Sequence, residues 1–358
     1  TLALLFGVHD FTVAVQWNHN LLLVAELDRC ECKTSGAMLR NVPHFMHCFL
    51  NLMKQVNRFL GYAGFAPPRL VFHTVIVQDV AGGVPFHPEL QALLPTHTQT
   101  GLHHWAGHAS FGFHDSPFQT ALVLSMDGGG DDGSLALFIG NRSGQEYALH
   151  HVDSLVSISL GGLWRLWGNM FMKFRAHNHN FTQRVDLMSL AGHGNATLQL
   201  TNLLRRSIFN HRMRSETTLF KGYMKLRPSV TSDYNLAASA QLALVQWCQQ
   251  LLSPEKYGHL LRGVEGVVLT GGVAQNAKLN WDLPQHLKPV PVHVPPSPGD
   301  SGVPVGLLYN RTRCMPRQET MYLGLTLADL GALPALVGLY GAVPATVSDV
   351  VRLLCSGA

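Results

Sequence analysis

Charge is scarce in this chain. Only 13% of its 358 residues are Asp, Glu, Lys or Arg, and the formal balance is +4. With hydrophobic residues at 46%, a disordered polyelectrolyte is excluded and a folded chain of about two lobes is expected. The small basic excess argues against a broad nucleic-acid surface. The one loose basic group, Arg205, Arg206, Arg212 and Arg214 around His211, reads as a solvated face. Cysteine is also sparse. Cys30, Cys32, Cys48, Cys248, Cys314 and Cys355 contain no Cys-x-x-Cys pair, and the Cys30-x-Cys32 spacing is too tight for the usual zinc or dithiol geometry. Reduced thiols and a cytoplasmic location fit that usage. No His-Glu-x-x-His occurs, so the general-base Glu of a zincin protease is missing. No cationic and apolar leader opens the chain. It begins at Thr1, without Met, inside a strand-like run, as a fragment would. The long apolar run at 322–343 holds Asp329, Pro334 and four glycines and lacks a basic flank. It is read as a linker or contact surface, with no membrane expected.

What the chain does have is His103-His104-Trp105-Ala106-Gly107-His108. His104 and His108 are four residues apart, which on a helix stacks both imidazoles on one face, about one turn apart. Two neutral imidazoles so placed can bind one borderline metal ion. Among 20 His, some such pairs arise by chance. Carboxylate candidates are remote: Asp127 in Ser125-Met126-Asp127-Gly128-Gly129-Gly130, and Asp300 in Pro298-Gly299-Asp300-Ser301-Gly302. A metal held by these groups would be assembled from distant parts of the chain, as in an active site.

The apolar pattern gives an order of elements. Strands are expected over 2–8, 12–17 and 21–27, a helix over 43–60, a strand over 70–77 and the His-rich helix over 102–113. The opening then recurs, with strands over 120–126, 134–139 and 146–152 and a helix over 234–252. A short strand at 266–269 leads into Thr270-Gly271-Gly272, followed by helices over 273–280 and 300–309. Each half therefore starts with a β-meander and switches to α/β units. That is the plan of a two-lobed actin-like ATPase, an α/β fold with a cleft between duplicated lobes, here 1–118 and 119–315, followed by an apolar linker over 316–358. In that plan Gly-rich turns at strand ends hold phosphates through backbone N–H groups, and glycine permits the close approach. Gly128 and Gly129, and Gly271 and Gly272, are the candidate turns.

Six stretches in order carry a resemblance: Gly7-Val8-His9-Asp10, Glu26-Leu27-Asp28-Arg29, His103 to Ala109, Ser125-Met126-Asp127-Gly128, Leu269 to Asn276, and Pro298 to Gly302. Together they resemble the N-terminal domain of the carbamoyltransferases that make O-carbamoylated antibiotics and nodulation factors. The resemblance implies that His104, His108, Asp127 and Asp300 ligate a divalent transition metal, iron in the family, which holds the phosphate of ATP or carbamoyl-adenylate. It implies His9, with Asp10 beside it, as general base toward an acceptor hydroxyl. Asp127, Gly128 and Gly129 would lie near the phosphates, and Gly271, Gly272 and Asn276 near the nucleoside.

Two departures stand out. Where the family carries Gly-Lys before its Met-Gly-Leu-Ala turn, this chain reads Val185-Asp186-Leu187-Met188-Ser189-Leu190-Ala191. The basic run expected after Arg29 is reduced to Lys33. Members of the family continue into a C-terminal YrdC-like domain that makes carbamoyl-adenylate, and this chain contains only what resembles the lead-in to it. The expected activity is metal-assisted carbamoyl transfer from carbamoyl-adenylate to a hydroxyl of a small-molecule acceptor. A degenerate nucleotide-binding scaffold and a kinase of the same fold are the alternatives; a kinase would use an Asp base and Mg²⁺ without needing the His pair.

Overall fold

Two β-sheets of one design form the frame. A computed structural model of the chain describes residues 1–6, 11–17, 20–26, 50, 51, 54, 74–79, 98–100, 103–128, 135–142, 148–155, 159–174, 183–209, 218, 221, 222, 225, 226, 233–312, 338, 343, 346, 348 and 349. The first sheet contains β1 (Leu2–Phe6), β2 (Phe11–Trp17), β3 (Asn20–Glu26), β4 (Val75–Asp79) and β5 (Thr98–Thr100), in the order β3-β2-β1-β4-β5. β1 to β3 form an antiparallel meander, and β4 and β5 extend it in parallel from β1. The second sheet contains β6 (Thr120–Met126), β7 (Leu135–Asn141), β8 (Ala148–Ser154), β9 (Gly266–Thr270) and β10 (Val292–His293). Its meander β8-β7-β6 continues in parallel through β9 and β10, strand for strand as in the first sheet. This duplication is the two-lobed α/β architecture of the actin-like ATPases.

Seven α-helices are present among the described residues: α1 (His104–Asp115), α2 (Leu160–Phe174), α3 (Gln183–Ala191), α4 (Leu198–Phe209), α5 (Asp233–Leu251), α6 (Ala277–His286) and α7 (Val303–Thr312). Side chains of β6 alternate between two cores, as the strand period requires. Leu122, Leu124 and Met126 join the larger core with Trp167, Leu200, Leu244, Trp247 and Leu279 of the helices. Ala121 and Val123 face the other way, against Ala109 and Phe113 of α1. Phe111 of α1 instead packs with Leu5, Ala14 and Ile76 of the first sheet and with Val303, Leu307 and Leu308 of α7. Thus α1 is buried between the second sheet and α7, with Phe111 reaching the core beneath the first sheet. α7 follows the second sheet in the chain and falls within 119–315, yet its apolar side is buried on the first sheet.

The two central helices meet at glycine. A Cβ on Gly306 of α7 would lie 1.8 Å from the Gly107 carbonyl oxygen of α1. The C-terminal end of α1 is held by Arg142, whose Nη2 donates to the carbonyls of Phe113, His114 and Ser116. A cation there meets the last carbonyls of the helix and the negative end of its dipole.

Several expected elements shift. The helix expected over 273–280 is a 3₁₀ turn, Gly272–Gln275, followed by α6; the Asn276 side chain accepts from the Leu279 N–H and so starts the helix at Ala277, four residues later than expected. The helix expected over 300–309 begins as a 3₁₀ turn, Asp300–Gly302, and runs as α7 to Thr312. The short edge strands β5 and β10 were not anticipated, because strands of three and two residues carry too little pattern. Most of the helix expected over 43–60 lies outside the described residues, with 50, 51 and 54 helical. No helix of the described residues is long and apolar enough to cross a membrane.

The chain divides into two compact units, Thr1–Leu323 and Gly324–Ala358. Most of the second lies outside the described residues, including nearly all of 322–343. Its Thr346 and Asp349 form a reciprocal cap: Asp349 Oδ2 accepts from the Thr346 N–H, and Thr346 Oγ1 accepts from the Asp349 N–H.

Gly306→Ala should destabilise the fold by about 3 kcal/mol or more, since the added methyl group would have to overlap the backbone of α1. Gly263→Ala, where an added Cβ meets nothing within 4 Å, should change stability by less than about 1 kcal/mol. Urea unfolding of both variants checks the pair; equal stability would contradict the close helix contact.

Candidate metal centre

Three separate segments converge on one point. α1 begins at His104, so its first two turns present His104 and His108 one above the other. Asp127 is the residue directly after β6, and Asp300 opens the 3₁₀ turn that leads into α7. His104 Nε2 lies 3.1 Å from Asp127 Oδ2 and 3.3 Å from Asp300 Oδ1. His108 Nε2 lies 2.9 Å from Asp127 Oδ2 and 3.3 Å from Asp300 Oδ1, and the two Nε2 atoms are 3.0 Å apart. One ligand atom from each of the four residues falls within 4.8 Å of every other. Both His side chains and Asp300 are buried; Asp127 is partly exposed.

Hydrogen bonding alone fits this cluster poorly. Each Nε2 can carry only one hydrogen, yet each faces two carboxylate oxygens and the other Nε2. A divalent cation at the centre satisfies all four atoms at once. Ligands about 2.1 Å from a metal are separated by about 3.0 Å at octahedral and about 3.4 Å at tetrahedral angles, which matches the spacing here. The donor set of two imidazoles and two carboxylates suits a transition ion.

Without a cation, the cluster is an ion-pair network. Burial is the largest influence on His104 and disfavours its charge. The hydrogen bonds and charges of Asp127 and Asp300 outweigh it and lift the imidazole from 6.5 to about 10. For His108, burial and repulsion from His104 oppose protonation, and the same two carboxylates prevail. Burial would raise both carboxylates, but the two imidazoles hold Asp127 and Asp300 below the usual range.

The surrounding loops are shaped by glycine. Gly271, at φ +87°, ends β9 in the left-handed region, where a Cβ would also lie 2.2 Å from the Met126 carbonyl oxygen. Its N–H donates to the Pro298 carbonyl, which brings the loop before Asp300 to the end of the sheet. Thr270 Oγ1 donates to the carbonyls of His108 and Pro298, joining the same three segments. A Cβ on Gly272 would come 2.9 Å from Asp127 Oδ1. Gly128 donates its N–H to that same oxygen at 2.5 Å.

Of the expected residues, the structure brings together His104, His108, Asp127 and Asp300, with Gly128 and Gly272 against Asp127. Asn276 is engaged within the fold, where its amide caps α6 and forms a reciprocal pair with Gln241 of α5, at 2.9 and 3.0 Å. His9, Asp10 and Gly129 lie outside the described residues. So do all cysteines except Cys248, a buried thiol raised by desolvation to about 12. Sequence reasoning missed the start of α2. There Ser159 Oγ donates to the Gly128 carbonyl, and a Cβ on Gly161 would lie 2.6 Å from Gly128 Cα. The Ser159-Leu160-Gly161-Gly162 run was the available signal. Gln241 gave none, being one amide on a long helix.

Fold and site together are those of a duplicated, actin-like domain with a His/Asp cluster between its sheets. The sequence profile described as Carbamoyltransferase N-terminus matches residues 96–307, and the chain belongs to that family. The nodulation protein NolNO of Sinorhizobium fredii (strain NBRC 101917 / NGR234) is 28% identical over 218 residues, covering 57% of this chain and 30% of that protein. The chain thus spans about a third of the length of this curated relative. Similar solved structures include component A of the Acidaminococcus fermentans (R)-2-hydroxyglutaryl-CoA dehydratase, with 14% identity, a TM-score of 0.48, and 86% of this chain and 96% of that one covered. A full-length HypF in its phosphate- and nucleotide-bound form has 15% identity and a TM-score of 0.49, covering 87% of this chain and 46% of that one.

The network sets a pH dependence for the metal-free protein. His104 is raised in the folded state, so its contribution is complete below pH 6.5 and is lost as pH rises through about 10. The depressed carboxylates contribute above 3.8 and lose that contribution in acid. After chelation, the urea midpoint should therefore fall between pH 6.5 and 10, and His104→Leu should flatten that alkaline limb. A limb of unchanged slope in the variant would show that His104 is not charged in the fold.

Proposed function

We propose that this chain is the transfer half of an O-carbamoyltransferase. In this reading a divalent transition metal, iron by family resemblance, is held by His104, His108, Asp127 and Asp300. The convergence of these four side chains from three distant segments, in a chain of the carbamoyltransferase N-terminal family, is the observation that carries it. When bound, the cation supplies Lewis-acid polarisation of a phosphate oxygen and neutralises its charge. The carbamoyl donor is carbamoyl-adenylate, and its supply is assigned to a YrdC-like domain.

The residues of the chain then divide the work. By the family resemblance Gly128 and Gly129 lie at the phosphate, and the start of α2, which stands beside Gly128, offers backbone N–H groups to it. Gly272 keeps the space beside Asp127 clear of side-chain atoms. His9, in the segment joining β1 to β2, accepts the proton of the acceptor hydroxyl, and Asp10 orients its ring. The acceptor oxygen bonds to the carbamoyl carbon, the bond from that carbon to the phosphate oxygen breaks, and AMP leaves with the electron pair. The acceptor is a small-molecule hydroxyl compound. Asp186, where the family has Lys, removes one cationic contact with an anion.

As purified, the protein should carry about one transition ion per chain, by the four-ligand argument. His108→Ala should lose most of it and His103→Ala little, as read by elemental analysis. Supplied with synthetic carbamoyl-adenylate and a panel of hydroxyl acceptors, the wild type should transfer the carbamoyl group, and His9→Ala should be slower by about 100-fold or more. Equal metal in wild type and His108→Ala would remove the ligand assignment. Phosphoryl transfer from ATP to the acceptors, without carbamoyl transfer, would favour the kinase reading.

A further inference from the structure

Glu26 is the last residue of β3, on the first sheet, and its carboxylate Oε1 accepts a hydrogen bond from Ser301 Oγ, 275 residues further along the chain. Ser301 is the middle residue of the 3₁₀ turn that Asp300 opens, and that turn packs against β2 and β3. The turn has little freedom on its other sides. The Gly302 N–H donates to the Gly299 carbonyl at 3.0 Å, and a Cβ on Gly302 would strike both the Ser297 carbonyl at 2.3 Å and the Phe111 ring at 2.5 Å. The Ser301 side chain is therefore the handle by which the first sheet grips the turn. A hydroxyl donating to an ionised carboxylate is among the stronger neutral-to-charged hydrogen bonds.

From this geometry we infer that Glu26 is a positioning residue for the metal centre: through Ser301 it fixes the aim of Asp300. The inference rests on the proposed metal site. Its reach extends further along the sheet. Glu26 stands in register with Thr12 of β2, and Phe6 pairs with Phe11 across the segment that contains His9 and Asp10. The tie therefore joins the sheet end from which that segment emerges to a ligand of the metal. A group bound to an outer partner is held to its metal more firmly, and loss of such a partner costs about 10- to 100-fold in metal affinity.

Co²⁺ provides the test, read by its d–d absorption and by competition with a chelator. Ser301→Ala and Glu26→Ala should each weaken Co²⁺ binding by about 10- to 100-fold and alter the band shape, while circular dichroism and the thermal midpoint of the metal-free protein stay near wild type. Glu26→Gln keeps an oxygen that accepts from Ser301 and should restore affinity to within about threefold. The double variant should bind no more weakly than either single one, because both remove the same contact. Wild-type affinity and spectrum in folded Ser301→Ala and Glu26→Ala would overturn the inference. Should wild type bind no Co²⁺, the metal site itself would fail, and that result is distinct from loss of the tie.

Discussion

The close packing of α1 is the constraint from which the rest of the structure follows. This helix carries no Asp, Glu, Lys or Arg before Asp115, and it is buried against the second sheet and against α7, which in turn lies on the first sheet. Such burial is available only where backbones can approach, and Gly107 and Gly306 provide that approach. Gly112 and Gly140 extend the same logic toward the second sheet, since a Cβ on either would press into Val268 or Phe113. A helix held this firmly has a fixed rotation about its axis. The direction of His104 and His108 is then set by packing on every side, not by the two imidazoles themselves.

The four polar side chains at the end of this helix are costly to bury unless their charges are matched. Two imidazoles and two carboxylates meet that condition in either of two ways. Protonated, the imidazoles balance the carboxylates; neutral, they leave two negative charges for a divalent ion. Both states are compatible with a dry interior, and exchange between them releases protons. The site is thus prepared by electrostatics as well as by geometry.

Much of this was legible from residue order because it rests on local pattern. The strands β1, β6 and β9 are largely apolar runs, β2 is apolar apart from Thr12 and Gln16, α5 carries a helical stripe, and the duplication appears as a recurring meander. The four clustered residues were legible as candidates because His104 and His108 share a helical face, and because Asp127 and Asp300 each stand beside glycines at the end of a run. Tertiary detail was not. Nothing in the spelling of 303–312 says that this helix returns to the first sheet, since its apolar residues would suit either lobe. Asn276 reads in one dimension only as a nucleoside contact by resemblance; its pairing with Gln241 across 35 residues and its cap on α6 are visible only in three dimensions. Ser301 reads in one dimension as part of a glycine turn; its partner Glu26 is too distant along the chain for any local pattern to join them.

The four clustered side chains come from different parts of the fold. His104 and His108 ride on a helix packed between the second sheet and α7, Asp127 follows a strand of the second sheet, and Asp300 sits on a turn that touches the first. A species bound by all four would tie these segments to one another, so its binding would stabilise the fold as a whole and not one segment of it.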